Sequence, residues 1–278
     1  MSNIQGTPII KMSGAGNDFV VLDGRGVDVS EFRKTERIRE VCAEFRTDGL
    51  MILDVSDSAD FRMEFYNPDG SGGMMCGNGG RCIVAFADFL GITPADGHTY
   101  RFLAPDGIHL AEILARPERG SHSASQWTVR LQMIDVDGVQ EMLGGYFLNT
   151  GTRHFVKFVE DVDTIDVAEE GKALRWNEAF APEGANINFV QRMPDGTLKI
   201  RTFEKGVEGE TLACGTGITA SAIAAGFLGS VQNGSDGESG RISIRLQARR
   251  GDILTVDFIP DGPASFSSIH LTGPAELL

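Results

Sequence analysis

Residues 75–91 read MCGNGGRCIVAFADFLG, and residues 213–229 read ACGTGITASAIAAGFLG. Both open on Cys-Gly-x-Gly, run into an apolar stretch and close on Phe-Leu-Gly, with Phe89 and Phe227 each 13 residues beyond their cysteine. In IVAFADFL and ITASAIAAGFL nearly every position is apolar, so as helices neither can present a solvent face. Such helices must be enclosed by other parts of the chain.

The segments around them repeat as well. PIIKMSGAGNDFVVLD (8–23) and GGYFLNTGTRHFVKFVED (144–161) both read strand, glycine turn, strand. Phe19 precedes Cys76 by 57 residues, and Phe155 precedes Cys214 by 59. Each half then has a candidate helix (31–45; 166–180), followed by period-2 strands in DGLMILDVSDSADFRMEFY (48–66) and ANINFVQRMPDGTLKIRTF (185–203). Phe65 and Phe203 each stand 11 residues before their cysteine. Two further strand pairs follow each apolar helix, with Asp-Gly and Arg-Gly as hairpin turns. Order, spacing and type held over so many elements indicate an internal duplication. The expected fold class is α+β, two pseudo-symmetric halves, each an antiparallel barrel-like sheet wrapped round a central apolar helix. VQNGSDGESG (231–240) reads as a solvated loop.

Composition limits the function. The chain has 278 residues, 41% of them hydrophobic, which is enough to bury a core. A net charge of −14 and the lack of any run of five basic residues argue against nucleic acid or an anionic membrane as partner. The N-terminal sequence has no signal-peptide pattern and no window approaches 18 uninterrupted apolar residues, so a cytoplasmic protein is expected. Four cysteines without a C-x-x-C make neither a disulfide framework nor a zinc signature, and no metal is expected. Cys42 and Cys82 read as buried small hydrophobes.

Cys76 and Cys214 differ from those two, because each stands where a helix begins. Glycines there admit a ligand close to the backbone, and a helix N-terminus attracts anions and lowers the pKa of a nearby thiol. Nucleophilic catalysis would need one such cysteine with a base. Two equivalent ones, related by the duplication, suit stereoinversion: one thiolate removes a Cα proton and the other thiol delivers a proton to the opposite face. The helix mouths would stabilise the developing charge at the carboxylate. No cofactor is called for, pyridoxal phosphate included. A Rossmann reading fails because Phe19 stands at the third glycine position of GAGNDF and no βα alternation surrounds it.

KMSGAGNDFVVLD, YNPDGSGGMMCGNGGRC and FEKGVEGETLACGTG together resemble, in order and spacing, the motifs of the diaminopimelate epimerase family. The resemblance covers nearly the whole chain, and the paired CGNG and CGTG motifs are highly specific to this superfamily of racemases and isomerases. It implies cofactor-independent interconversion of L,L- and meso-diaminopimelate, on the route to lysine and peptidoglycan. It implies Cys76 and Cys214 as the acid–base thiols and His154 and Glu204 as the groups that tune them. Gly77, Asn78, Gly215 and Thr216 would form the two mouths, while Asn17, Asn67, Asn186, Glu204 and Lys205 would meet the substrate. On residues alone, Asn67 reads equally well as a turn former, and Asn17 and His154 have alternative readings as an Asx turn and a core histidine. The family's last strand returns to the first half, which implies domains of 1–120 completed by 266–278, and 121–265.

Four positions depart from the family pattern, and the resemblance places two of them, Lys205 and Thr152, at the distal end of the substrate. Lys205 stands for the usual Arg, Thr152 for Asn, Gly49 for Gln and Ser13 for a common His, and a lysine lacks the two-point grip of a guanidinium. Two other readings therefore stay open: a two-cysteine racemase for another amino acid, and a non-catalytic carboxylate-binding protein. The partner expected is a small-molecule amino acid, with a homodimer left open.

Overall fold

The computed structural model describes residues 2–4, 7–73, 75–118, 126–229 and 240–278. The segment 231–240, apart from Gly240, lies outside the described residues. The chain divides into two units, residues 1–131 with 273–278, and residues 132–272.

Unit 1 holds β1 (Ser2–Ile4), β2 (Thr7–Gly14), β3 (Asn17–Asp23), α1 (Thr35–Phe45), β4 (Gly49–Asp54), β5 (Phe61–Tyr66), α2 (Gly77–Phe89), β6 (Thr99–Ala104), β7 (Gly107–Ala115) and β8 (Gln126–Gln132). Unit 2 holds β9 (Val136–Asp137), β10 (Gln140–Met142), β11 (Gly145–Asn149), β12 (Arg153–Val159), α3 (Val167–Arg175), β13 (Asn186–Arg192), β14 (Leu198–Glu204), β15 (Gly209–Thr211), α4 (Gly215–Phe227), β16 (Ile242–Gln247) and β17 (Ile253–Pro260). The last strand, β18 (Ser265–Leu277), gives its first residues to unit 2 and Gly273–Leu277 to unit 1.

In unit 1 the strands β2 to β8 pair in chain order, and the end of β18 pairs with both β8 and β2. The result is a closed barrel of eight strands. Antiparallel neighbours predominate, and the exceptions are β3–β4 and β5–β6. A helix lies in each of those connections, and parallel neighbours need such a crossover. Unit 2 repeats the rule. Its parallel pairs, β12–β13 and β14–β16, are again those with α3 or α4 between them.

α2 fills the barrel of unit 1, with every residue from Gly77 to Ala87 buried. Its Asp88 is satisfied at the far end by Trp127 Nε1 at 2.9 Å and the Tyr100 hydroxyl at 3.1 Å. α1 lies on the outer face and buries Ile38, Val41 and Cys42 against Val20, Leu22, Leu50 and Ile52. Strands β3 and β4 are thus covered on both faces, which is why VVL and LMIL run apolar without alternation. In unit 2 the cluster of Phe155, Val167, Phe180, Ile187, Phe189 and Phe203 does the same work beneath α3. The helix expected over 166–180 ends at Arg175. Asn177 then caps a 3₁₀ turn, Glu178–Phe180, by accepting from Ala179 N–H.

α4 is enclosed by β11, β12, β13, β14, β16 and β17. Its small residues, Ala220, Ala222, Ala224 and Ala225, let the sheet approach, and Ile218 and Ile223 fill the remaining space. Ile223 is fully buried whereas Ile253 is 46% exposed. Ile223→Ala should therefore cost about 2–5 kcal/mol of unfolding free energy. Ile253→Ala should cost less than about 0.5 kcal/mol. Urea unfolding of both variants checks the pair, and equal costs would contradict an enclosed α4.

Candidate active site

In unit 1 the site residues gather where β3 begins, β5 ends and α2 begins. Cys76 is the N-cap of α2, extended at φ −108° and ψ 147°, and its Sγ accepts the Gly79 N–H at 3.2 Å. One of the orphan donors of the first turn is thus satisfied by sulfur, which places the thiol against the positive end of the helix. Asn78 is buried and donates from Nδ2 to Asn17 Oδ1 at 2.6 Å. Its own Oδ1 accepts from Arg81 Nη2 at 2.9 Å.

Arg81 was not singled out from the sequence, yet it is fully buried in the first turns of α2. Its guanidinium also donates to the carbonyls of Gly77 at 3.1 Å and Pro274 at 3.2 Å. A cation placed here adds to the field of the helix N-terminus and holds Asn78 in one orientation. The available signal was a charged residue opening a helix that is otherwise apolar. A Cβ at Gly14 would come within 2.7 Å of the Asn78 carbonyl, so the glycine of SGAGN is needed for β2 to pass the helix mouth. Asn67 is built into a turn, with Nδ2 donating to Ser71 Oγ at 3.0 Å and its backbone N–H to Ser71 O at 2.9 Å.

In unit 2, Cys214 takes the same N-cap position of α4, at φ −120° and ψ 110°, but its surroundings differ. Its sulfur lies 3.4 Å from Thr216 Oγ1, and Thr216 Oγ1 lies 2.9 Å from Nε2 of His154. Thr152 Oγ1 also lies 2.9 Å from that nitrogen. His154 begins the core of β12 and pairs in parallel register with Asn186 of β13. Asn186 donates from Nδ2 to Arg153 O at 3.0 Å and Thr152 Oγ1 at 3.3 Å, and its Oδ1 accepts the Lys205 N–H at 2.8 Å. It thereby ties the ends of β12, β13 and β14 together. Glu204 is half-buried at the end of β14, and the Lys205 side chain is exposed. Thr150 Oγ1 donates to the Thr216 carbonyl at 2.9 Å and so fixes the first turn of α4.

A Cβ at Gly217 would lie 2.5 Å from Asn188 Oδ1, which explains the second glycine of CGTG. Asn188 is fully buried and was not among the residues expected from sequence, since ANINF reads there simply as an alternating strand. The two mouths are therefore not equivalent. A backbone N–H meets sulfur at Cys76, whereas a hydroxyl backed by an imidazole meets it at Cys214. Burial pushes the thiols of Cys42 and Cys82 up, which keeps both protonated and unreactive near neutral pH.

The duplicated pattern is also a family signature. The diaminopimelate epimerase family model matches residues 9–120 and 146–257, a span in each half that includes its cysteine-capped helix. The chain belongs to the diaminopimelate epimerase family. It is similar to the diaminopimelate epimerases of Aquifex aeolicus, at 40% identity over 95% of this chain and 92% of that one, and of Chlorobaculum tepidum, at 39% over 95% and 96%. Among solved structures, a Bacillus anthracis phenazine biosynthesis protein of the PhzF family matches with TM-score 0.70 at 15% identity, covering 97% of this chain and 96% of that one. A hydroxyproline epimerase from Agrobacterium vitis matches with TM-score 0.64 at 17% identity, covering 97% and 88%. At such identities the likeness is one of fold. Membership of the epimerase family makes this chain an isomerase. Among the described residues, no helix is long and apolar enough to cross a membrane.

Burial pushes the His154 pKa down to about 3 from an ordinary 6.5, because full desolvation disfavours the imidazolium. The folded pKa lies below the unfolded one, so between pH 6.5 and 3 the unfolded chain binds a proton that the folded chain does not. Stability from this group is complete above that window and falls as pH drops through it, by about 1.4 kcal/mol per pH unit. His154→Gln should lose that part of the acid slope in denaturant titrations run from pH 7 to 4. A variant with the same slope as the parent would contradict a neutral, buried imidazole.

Proposed function

We propose that this member of the family inverts one Cα of diaminopimelate, taking the L,L form to the meso form, as an enzyme of lysine and peptidoglycan biosynthesis acting in the cytoplasm. Cys76 and Cys214 act as the base and the acid. The thiolate of one takes the α-proton, and the thiol of the other returns a proton to the opposite face, so that the two sulfurs have exchanged roles when product forms. One C–H and one S–H bond break and one of each forms, with no electrons passed to an acceptor, so the step balances without a cofactor.

The observation that carries this reading is the matched pair of cysteines, each the N-cap of a buried helix, with the Gly79 N–H donating to the Cys76 sulfur and the Thr216 hydroxyl 3.4 Å from the Cys214 sulfur. The difficulty of the reaction is the carbanion. Helix N-termini stabilise charge developing on an adjacent carboxylate, and such fixed dipoles are usually the largest single contribution to catalysis. Gly77, Asn78, Gly215 and Thr216 supply these mouths. Asn17, Asn67, Asn186, Glu204 and Lys205 contact the polar groups of the substrate, and His154 and Glu204 tune the thiols. A non-catalytic carboxylate-binding protein would need neither thiol.

The second reading, a two-cysteine racemase for another amino acid, draws on the exposed Lys205 and on Thr152. The Thr152 hydroxyl is engaged with His154, whereas the family's asparagine at that position would grip the distal end of the substrate. One experiment separates the two. The reduced protein is incubated in D₂O with L,L-diaminopimelate and, alongside, with a panel of L-amino acids, and the α-proton signal is followed by NMR. The proposal expects exchange and meso product with diaminopimelate, and loss of turnover by at least about 10³-fold in Cys76→Ala and in Cys214→Ala. Exchange confined to a different amino acid would favour the second reading, and full turnover in either cysteine variant would refute the two-base mechanism.

A further inference from the structure

Asn188 is fully buried on β13 and belongs to none of the groups assigned above. Its side-chain amide has one workable orientation. Nδ2 lies 3.2 Å from the Phe155 carbonyl, which can only accept, and Oδ1 lies 3.0 Å from Thr202 Oγ1, which can donate. The same Nδ2 lies 3.1 Å from Nδ1 of His154. An amide nitrogen only donates, so Nδ1 must carry a lone pair. A neutral imidazole then bears its proton on Nε2.

The hydroxyls beyond Nε2 are ordered by that choice. Thr152 Oγ1 accepts from Asn186 Nδ2 at 3.3 Å and faces both Nε2 at 2.9 Å and Thr216 Oγ1 at 3.3 Å. Nε2 already carries a proton, so the hydroxyl proton of Thr152 goes to Thr216. Thr216 Oγ1, receiving from Thr152 and from the imidazole, turns its own proton to the Cys214 sulfur at 3.4 Å. Every donation in the set runs toward the sulfur. With the other tautomer, Nε2 would be an acceptor and would draw the hydroxyl protons back from it.

We infer that Asn188 is a positioning residue that fixes His154 as its Nε2–H tautomer, so that Thr152 and Thr216 donate in one direction and end at Cys214. The inference rests on the proposal that Cys214 works as an acid–base thiol. It adds the device that sets the direction of hydrogen bonding at this mouth, for which the Cys76 mouth uses a backbone N–H instead. A hydrogen bond given to sulfur favours its thiolate form, the one able to take a proton. A neutral His154 cannot supply the same help as a cation, so the tautomer matters. Holding a catalytic imidazole in the wrong tautomer has cost about 10⁴-fold in kcat in a protease triad.

Two-bond ¹H–¹⁵N correlation NMR of the ¹⁵N-histidine protein reads the tautomer directly, with the His154 signals assigned by their loss in His154→Gln. The expected spectrum is that of neutral imidazole protonated at Nε2 from pH 5 to 8. In Asn188→Leu, which removes the donor at Nδ1, the Nε2–H signature should no longer stand alone, and kcat should fall at least tenfold with KM within about twofold. Thr216→Val should lower kcat likewise, and Thr216→Ser, which keeps the hydroxyl, should recover most of it. An Nδ1–H or imidazolium spectrum for the parent protein would overturn the inference, as would an Asn188→Leu enzyme with unchanged kcat. The spectrum needs no substrate, so the tautomer stands or falls independently of the exchange experiment in D₂O.

Discussion

A helix with no polar face has to be enclosed along its whole length, and the two cysteine-headed helices of this chain impose that condition twice. The strands of each unit answer it. α2 is buried from Gly77 to Ala87 and α4 over nearly all of its length. An enclosed helix still has a first turn whose N–H groups lack intrahelical partners, and these must meet a side chain or a ligand. The sequence sets a cysteine at that point in both units. The placement of the two capping thiols is thus a consequence of how the core is built, because the same enclosure that stabilises the fold leaves a positive, donor-rich terminus with sulfur as its cap.

The two duplicated units carry different local chemistry at their helix mouths. At Cys76 the sulfur takes the Gly79 N–H, while the buried Arg81 holds Asn78 and the first-turn carbonyl of Gly77. At Cys214 a hydroxyl, an imidazole and two buried amides do the comparable work. Counted from Phe19 and Phe155, Asp18 stands where unit 2 has His154 and Asn17 where it has Arg153, so matching strand starts carry different side chains. Such asymmetry suits a reaction in which two thiols must hold opposite protonation states in turn. Cys42 and Cys82 show the contrast: both are buried without a helix mouth, and desolvation holds both as thiols.

Much of this was readable in the chain. The duplication, the enclosed helices and the period-2 strands follow from patterns of neighbours, which a sequence displays directly. The parallel pairs β3–β4 and β12–β13 were less visible, because they depend on where the chain returns after a crossover. Hydrogen-bond partners were the least accessible. Asn188 and His154 are 34 residues apart, and Asn17 and Asn78 are 61 apart. In ANINF both asparagines look alike, yet Asn186 ties backbone at the strand ends while Asn188 faces the imidazole. Arg81 was hidden for a related reason. A buried arginine is acceptable only with carbonyl and amide acceptors already in place, and those come from α2 itself and from Pro274 near the end of the chain.

The claim on which the rest depends is that enclosure of the two helices turns their capping thiols, and not the other cysteines, into reactive groups. Site-resolved alkylation of the reduced native protein by iodoacetamide at pH 7, read by peptide mass spectrometry with and without L,L-diaminopimelate, tests it most directly. Modification is expected at Cys76 and Cys214, slowed by the substrate, with Cys42 and Cys82 intact until the protein is unfolded. Alkylation of Cys42 or Cys82 at a comparable rate in the native protein, or substrate protection of neither capping cysteine, would contradict it.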